Sequence, residues 1–98
     1  MAGVDLSVVI PIKNEAASLV ELLREFTETL TAWGRSYELI VIDDGSTDES
    51  FATLARLQKA DPRLRVIRFR RNFGQPAAFA AGFAAYVLWS KARIGKRR

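Results

Sequence analysis

Two adjacent aspartates, Asp43 and Asp44, follow directly on the apolar run at residues 37–42 and precede Gly45. Carboxylates placed side by side repel each other, and a cation, backbone N–H groups or a donor-rich ligand relieves that repulsion. One interpretation is that the pair accepts hydrogen bonds from a polar ligand, as an acid does for a ribose at the end of a second strand. The other is that both acids cap the following helix and form a turn with Gly45. The pair by itself leaves both interpretations open.

The first loop, Pro11-Ile-Lys-Asn-Glu15, contains no glycine. A dinucleotide-binding loop needs glycines because its backbone must approach the pyrophosphate closely, so NAD and FAD are disfavoured as ligands. The lysine motif of P-loop proteins is absent as well. A phospho-receiver domain is disfavoured because its acceptor aspartate ends the third strand, where this chain has Phe69 and Arg70.

Length and composition limit the chemistry further. The 98 residues are enough for one small domain. The chain has no cysteine and no histidine, which excludes disulfides, thiolate nucleophiles and imidazole catalysis, so any metal would need oxygen ligands. All eleven acidic residues lie within residues 1–62, whereas residues 63–98 carry ten basic residues and no acidic one. The two parts of the chain are therefore expected to face different surfaces or partners.

The strands that must position these side chains are predicted from the apolar runs. Two short β-branched runs, at residues 6–12 and 37–42, are typical of strands buried on both faces, with Pro11 at the end of the first. Residues 64–69 alternate apolar side chains with arginines, which predicts a half-exposed strand nearer a sheet edge.

Helices are predicted between the strands. An apolar stripe runs from Ala16 to Trp33 and stops at Gly34, and a capping box at residues 46–49 begins a second helix of about three turns. Pro76 is well placed as the first residue of a third helix. The order β-α-β-α-β-α predicts an α/β fold with a parallel sheet, in which ligands collect at the carboxyl ends of the strands.

Three stretches taken together, SVVIPIKNEAASL, YELIVIDDGSTDES and RRNFGQPAAFAAGF, resemble in order and spacing the amino-terminal half of family 2 glycosyltransferases with the GT-A fold. The resemblance covers about residues 5 to 84 and is greatest to polyprenyl-phosphate glycosyltransferases, the dolichol-phosphate mannosyltransferase-like group. It implies a three-layer, Rossmann-like GT-A amino-terminal half with a short parallel sheet. Residues 1–85 would form a partial nucleotide-sugar-binding domain, and residues 86–98 a basic tail that departs from the family pattern.

The resemblance also implies a binding site for a UDP- or GDP-sugar. Pro11, Lys13 and Glu15 would border the base and ribose, while Asp44, with Asp43 beside it, would accept hydrogen bonds from the nucleoside. Carboxylates suit the N–H and hydroxyl donors of these groups. Lys13 departs from the family, in which an aromatic residue is frequent at that position, and Glu15 is equally compatible with a first-turn acid that stabilises the helix dipole. Asn72 and Gly74 match the family loop after the third strand, where Gly74 is expected to serve the backbone conformation.

The family's metal site is expected to be missing from this chain. Family members hold Mg²⁺ or Mn²⁺ with an Asp-x-Asp on a fourth strand, and no acidic residue follows Asp61 here. The chain is therefore interpreted as truncated before that motif, with no catalytic and no metal-binding residue of its own. The parent reaction would move a sugar from UDP or GDP to a polyprenyl phosphate with inversion, and we expect this chain alone not to transfer sugar because the cation is lost.

A non-catalytic nucleotide-binding or membrane-surface module is the alternative reading. The apolar run at residues 77–89 is shorter than the ~20 residues that span a bilayer, and basic residues follow it from Lys91 to Arg98. Contact with an anionic membrane surface is therefore considered, alongside a solvated basic terminus. Nucleic acid is not expected as a partner, since the arginines follow no known recognition motif. The absence of a secretory signal predicts a cytoplasmic protein. The relation to lipid-phosphate enzymes suggests a peripheral location at the cytoplasmic face of a membrane, and uncovered apolar surface predicts self-association.

Overall fold

The computed structural model describes residues 3–82 and 84. Its strands are β1 (Leu6–Ile12), β2 (Tyr37–Asp43) and β3 (Leu64–Arg68), and its helices are α1 (Ala16–Trp33) and α2 (Ser50–Ala60). Residues 75–82 form a further helix, α3. The predicted order β-α-β-α-β-α is therefore confirmed. The basic tail predicted at residues 86–98 lies outside the described residues.

The three strands form a parallel sheet in the order β1-β2-β3. Every residue of β2 is buried, as its continuous apolar run predicts for a strand between two neighbours. The last residue of β1, Ile12, pairs with Asp43 of β2, which pairs in turn with Arg68 at the end of β3. The carboxyl ends of all three strands are thus level, and the loops that follow them lie side by side.

Helices cover both faces of the sheet. On one face, Leu19 and Leu23 of α1 and Leu54 of α2 pack with side chains of β2 in the larger core cluster. On the other face, Ala78 of α3 packs against Ile40 and Ile42 in a second cluster. The alternation of β2 side chains between the two clusters gives three layers, and the predicted Rossmann-like architecture is confirmed.

Pro11 lies inside the β1 pairing, one residue before the strand ends. The Asp44 N–H donates to the Ile12 carbonyl at 2.9 Å, so Ile12 turns its polar backbone groups toward β2. Because these groups alternate in direction along a parallel strand, the adjacent Pro11 turns toward the opposite edge of β1. The missing N–H of proline therefore costs the ladder no hydrogen bond.

The bounds of α1 agree with the sequence prediction, whereas the start of α2 differs from it. Helix α1 has the predicted bounds, and Gly34 closes it in the left-handed conformation with φ 86°. The predicted capping box is wrong, because α2 begins at Ser50 and its N-cap, Glu49, makes no side-chain capping bond. The Ser46 hydroxyl instead accepts a hydrogen bond from the Asn14 N–H at 2.9 Å. The first N–H of α2 is bound by Asp48, whose Oδ1 accepts a hydrogen bond from Ser50 at 2.8 Å.

Among residues 3–82 and 84, no helix is both long and apolar enough to cross a membrane.

A comparison of Gly45 with Gly34 tests how closely the loop after β2 packs against the loop after β3. Both have positive φ, but a Cβ on Gly45 would lie 2.4 Å from backbone atoms of Arg71 and Asn72, whereas one on Gly34 would meet nothing within 4 Å. Gly34→Ala should cost only the left-handed strain, about 1–2 kcal/mol. Gly45→Ala should lower the free energy of unfolding by roughly 2 kcal/mol more, because two backbone segments must also separate. Urea denaturation of both variants measures the difference, and equal losses would show that the loops are not in close contact.

Candidate functional site

A cavity of about 280 Å³ lies at the carboxyl ends of the strands, between the loops that follow β1 and β3. It contains four of the five predicted site residues, Pro11, Lys13, Glu15 and Asp44. Its remaining lining residues are Ile12, Asn72, Gly74 and Gln75. The structure therefore gathers side chains that are more than 60 positions apart in the sequence around one opening.

Asp44 is buried, with an exposed fraction of 4%, and its carboxylate accepts three hydrogen bonds from the loop after β3. The Phe73 N–H donates to Oδ1 at 2.7 Å, and the Gly74 N–H donates to Oδ2 at 2.9 Å. The Asn72 side-chain amide donates to Oδ2 at 3.0 Å and to the Asp44 carbonyl at 3.2 Å. Hydrogen bonds to an ionised group are the stronger kind, so this carboxylate fixes the loop that forms one wall of the cavity.

Asp43 has a different environment from its neighbour. Its exposed fraction is 0%, and it does not line the cavity. One carboxylate oxygen, Oδ1, accepts a hydrogen bond from the Ser46 N–H at 2.9 Å, while Oδ2 has no hydrogen-bond partner among the described residues. The turn interpretation from the sequence fits this residue, whereas Asp44 lines the cavity.

The loop after β1 is held by the loop after β2. Asn14 adopts a left-handed conformation with φ 53°, and its side-chain oxygen accepts hydrogen bonds from the N–H groups of Thr47 at 2.8 Å and Asp48 at 3.3 Å. The Glu15 N–H donates to the Ser50 hydroxyl at 3.0 Å, and the Ala16 N–H donates to Asp48 at 3.3 Å. Side chains from residues 46–50 thus bind the N–H groups of the N-cap and of the first residue of α1, so the loop after β2 fixes the start of that helix.

Lys13 and Glu15 supply the charged groups at the entrance of the cavity, and both side chains are exposed. Glu15 is the N-cap residue of α1, and its carboxylate accepts a hydrogen bond from the Ser18 hydroxyl at 3.1 Å. A carboxylate with one neutral donor retains capacity to accept further hydrogen bonds. The two residues therefore offer one acceptor and one donor of opposite charge to a ligand.

Larger cavities are also present. One, of about 420 Å³, is at the amino ends of the strands, and another, of about 430 Å³, is an apolar groove between α1 and α2. Neither of these contains the loops after the parallel strands, where α/β proteins bind ligands. A further cavity, of about 360 Å³, adjoins the candidate cavity through Pro11, Ile12 and Glu15 and continues along α1 to Glu25. The smaller cavity is the better candidate because its lining combines carboxylates, amides and an ammonium group.

Sequence reasoning missed Gln75 and Ile12 as lining residues and Asn14 as the anchor of the first loop. Gln75 could have been found from its position at the start of α3, beside Asn72 and Gly74. Gly74 has φ 93°, as expected for a residue that serves the backbone conformation, and its N–H is in addition a donor to Asp44. The bonds of Asn14 reach residues more than 30 positions away and leave no local sequence signal.

The family model for glycosyl transferase family 2 matches residues 7–86. This chain belongs to that family. It is 44% identical over 80 residues to the undecaprenyl-phosphate 4-deoxy-4-formamido-L-arabinose transferases of Salmonella paratyphi B (strain ATCC BAA-1250 / SPB7) and Salmonella enteritidis PT4 (strain P125109). The match covers 81% of this chain and 24% of each relative, so the chain spans about a quarter of their length.

The fold is similar to that of a solved structure. The crystal structure of S. aureus TarS 1-349 superimposes with a TM-score of 0.54 and 27% identity, over 72% of this chain and 20% of that one. The expected resemblance to GT-A glycosyltransferases and to polyprenyl-phosphate enzymes of family 2 is therefore confirmed. The roles of the individual site residues remain predictions.

Removing the charge of Asp44 should release the loop after β3. Asp44→Asn leaves one acceptor oxygen where three donors converge, and we expect the free energy of unfolding to fall by roughly 3 kcal/mol. Asp61→Asn is the matched control, because that carboxylate accepts one exposed bond, from the Arg63 N–H at 2.9 Å, and should cost less than about 1 kcal/mol. Chemical denaturation measures both, and equal losses would contradict the anchoring role.

Asp48 makes the junction of the first two loops sensitive to acid. Its hydrogen bonds from Ser50, and then from Ala16, hold the pKa of its carboxyl below the ordinary value of 3.8. Because the pKa of this carboxyl is lower in the folded protein than in the unfolded chain, its ionised form stabilises the fold above pH 3.8. This stabilisation is lost as the pH falls through the folded-state pKa. Asp48→Asn should therefore destabilise the protein at neutral pH and converge with the wild type in acid. A constant difference across a pH series of unfolding curves would contradict this.

Proposed function

We propose that this chain forms the nucleotide-sugar-binding part of a glycosyltransferase that uses a polyprenyl phosphate as acceptor. The observation that supports it most is the cavity at the carboxyl ends of the strands, in which Lys13, Glu15 and Asp44 meet Asn72 and Gly74. These residues lie within the 80 that match the relatives named undecaprenyl-phosphate transferases. In this proposal residues 1–85 are the binding unit.

The cavity suits a nucleoside better than a diphosphate. Its volume of about 280 Å³ is near the lower limit of ligand pockets, about 300 Å³, which is compatible with a base and its ribose. Glu15 and the remaining acceptor capacity of Asp44 match the N–H and hydroxyl groups of uridine or guanosine. Lys13, with Pro11, would border the base and ribose, at a position where an aromatic residue is frequent in the family. The role proposed for Asp43 is indirect, since it shapes the turn that carries Asp44.

The metal implied by the family does not fit the described residues. Within residues 3–82 and 84, no group of three or more acidic side chains could hold a metal ion. The carboxylates that line the cavity are those of Glu15 and Asp44 alone, and Asp43 is buried away from it. Mg²⁺ or Mn²⁺ would therefore need ligands from beyond these residues, and we assign no metal ligand and no catalytic residue here.

The reaction proposed for the whole enzyme is a single displacement. A phosphate oxygen of the polyprenyl phosphate attacks the anomeric carbon as the bond from that carbon to the diphosphate oxygen breaks. The nucleoside diphosphate leaves with the electron pair, and the anomeric configuration inverts. This chain would hold the leaving nucleotide in position at the cytoplasmic face of a membrane, and orientation of that kind is a major part of catalysis.

Titration of the ¹⁵N-labelled chain with UDP and GDP tests the binding role. The amide signals of Lys13, Glu15, Asn72 and Gly74 should shift with one of the two nucleotides, while signals of β2 stay in place. Glu15→Gln should weaken binding about tenfold, because a charged acceptor is lost. Glu28→Gln, at an exposed acid of α1 that lines neither this cavity nor the one adjoining it, is the matched control and should bind as the wild type does.

The outcomes separate the proposal from its rival. If neither nucleotide shifts the cavity amides at millimolar concentration, the nucleotide site is wrong and a surface module without a nucleotide becomes the better description. If both variants bind as tightly as the wild type, the nucleotide occupies a different part of the chain.

A further inference from the structure

The loop after β3 carries a concentration of positive charge that the proposed function does not use. Residues 68–73 read Arg-Phe-Arg-Arg-Asn-Phe, and we name them the arginine loop. Arg68, Arg70 and Arg71 are all exposed, and residues 63–98 contain no acidic residue to neutralise them. Asp43 and Asp44, which the backbone of this loop contacts, are buried, so their charge lies beneath the surface that carries these arginines.

Aromatic side chains are interleaved with these arginines. Phe73 is 54% exposed, and it packs against Phe69 at a ring-to-ring distance of 5.6 Å with the planes at 90°. The Arg71 guanidinium lies 4.7 Å from the centre of the Phe73 ring. Phe79, in the second turn of α3, is 49% exposed. Large exposed aromatic groups beside cations are the composition that binds at membrane interfaces, where apolar rings enter the headgroup region and cations meet lipid phosphates.

The arginine loop is held in place rather than left free. The backbone N–H of Phe73 and that of the following Gly74 both donate to the buried Asp44 carboxylate. The Arg68 guanidinium stacks over the Phe51 ring of α2 at 4.1 Å. A loop fixed at both ends loses less conformational entropy on binding, which favours a surface partner.

We propose that the arginine loop binds the surface of an anionic phospholipid bilayer. Arg70 and Arg71 contact lipid phosphates, and the Phe73 ring enters the headgroup region. The proposal deepens the membrane-face location given under the proposed function and rests on it. Since Asn72 and Gly74 of the same segment line the nucleotide cavity, the bound membrane would border the cavity where a lipid-linked acceptor must arrive.

The contacts favour lipid over nucleic acid. Single-stranded nucleic acid uses aromatic rings as open stacking platforms. Here the Phe73 ring carries a guanidinium over it and a second ring against it, so it offers apolar area rather than an open platform.

Sedimentation with vesicles tests the proposal on the full chain. Vesicles of phosphatidylcholine with phosphatidylglycerol should bind the wild type, and pure phosphatidylcholine should not. The double variant Arg70→Gln/Arg71→Gln should bind about twenty-five-fold more weakly, at about fivefold for each arginine. Arg56→Gln/Lys59→Gln changes the same net charge on the exposed surface of α2 and should change binding less than about twofold.

A fluorescent label separates specific contact from attraction by the basic terminus. The chain has no cysteine, so Arg70→Cys and Lys59→Cys each accept one environment-sensitive label after loss of one positive charge. The label at residue 70 should shift to the blue on anionic vesicles, and the label at residue 59 should not. Equal binding by both double variants, or equal spectra at the two positions, would overturn the proposal.

Two further outcomes identify what failed. Retention of single-stranded RNA by the wild type, without retention by anionic vesicles, would replace the lipid with nucleic acid as partner. The Arg70→Gln/Arg71→Gln variant should still show the nucleotide-induced amide shifts, because its substitutions lie outside the cavity. Loss of vesicle binding in this variant, with nucleotide binding intact, supports the proposal. Failure of nucleotide binding in the wild type counts against the proposed function, and the vesicle result then tests the membrane contact independently.

Discussion

The candidate site depends on the hydrogen bonds that the buried Asp44 carboxylate accepts from the loop after β3. A carboxylate with an exposed fraction of 4% must be compensated, and here two backbone N–H groups and one side-chain amide provide that compensation. The same bonds satisfy donors of a loop that would otherwise need water or a regular ladder. The negative charge at the end of a buried strand is therefore the connection between two neighbouring loops, and one wall of the cavity follows from it.

The opposite wall is organised from the same segment of the chain. Residues 44–50 receive the loop after β3 through Asp44 and the loop after β1 through Ser46, Asp48 and Ser50. Gly45 lies between these contacts, and its lack of a side chain allows the backbone of residues 71–72 to approach. The loop after β2 is thus the central support of the site, although only Asp44 within it lines the cavity. Changes to this loop should affect both walls together.

Much of the architecture could be predicted because its signals are local. The apolar stripe of α1 and the left-handed stop at Gly34 specify that helix to the residue, and the apolar run Leu39–Ile42 within β2 indicates a strand buried on both faces. The position of Asp44 at the cavity also followed, since parallel strands bring their carboxyl ends together. What failed was the capping box, because Ser46 bonds a residue 32 positions earlier. The sequence likewise could not show which role Asp43 has and which Asp44 has, because a carboxylate after a strand is equally compatible with a turn, a loop anchor and a ligand contact.

The acidic and basic residues that are separated along the sequence are also separated in space around the cavity. Carboxylates of the first two loops border the cavity, while the arginine loop presents its cations and phenylalanines on the adjoining surface. One backbone segment, residues 72–74, belongs to both, because its N–H groups bind Asp44 while its neighbours carry the exposed charge. The loop anchored by Asp44 thus connects the proposed nucleotide site with the proposed membrane contact.

Amide hydrogen exchange of the unliganded wild-type chain tests this central claim most directly. If the Asp44 carboxylate holds the loop, the N–H groups of Phe73 and Gly74 should exchange much more slowly than those of Arg70 and Arg71, because only the first two are bonded to a buried acceptor. Exchange of all four at the same rapid rate would contradict the claim and leave the cavity without its second wall.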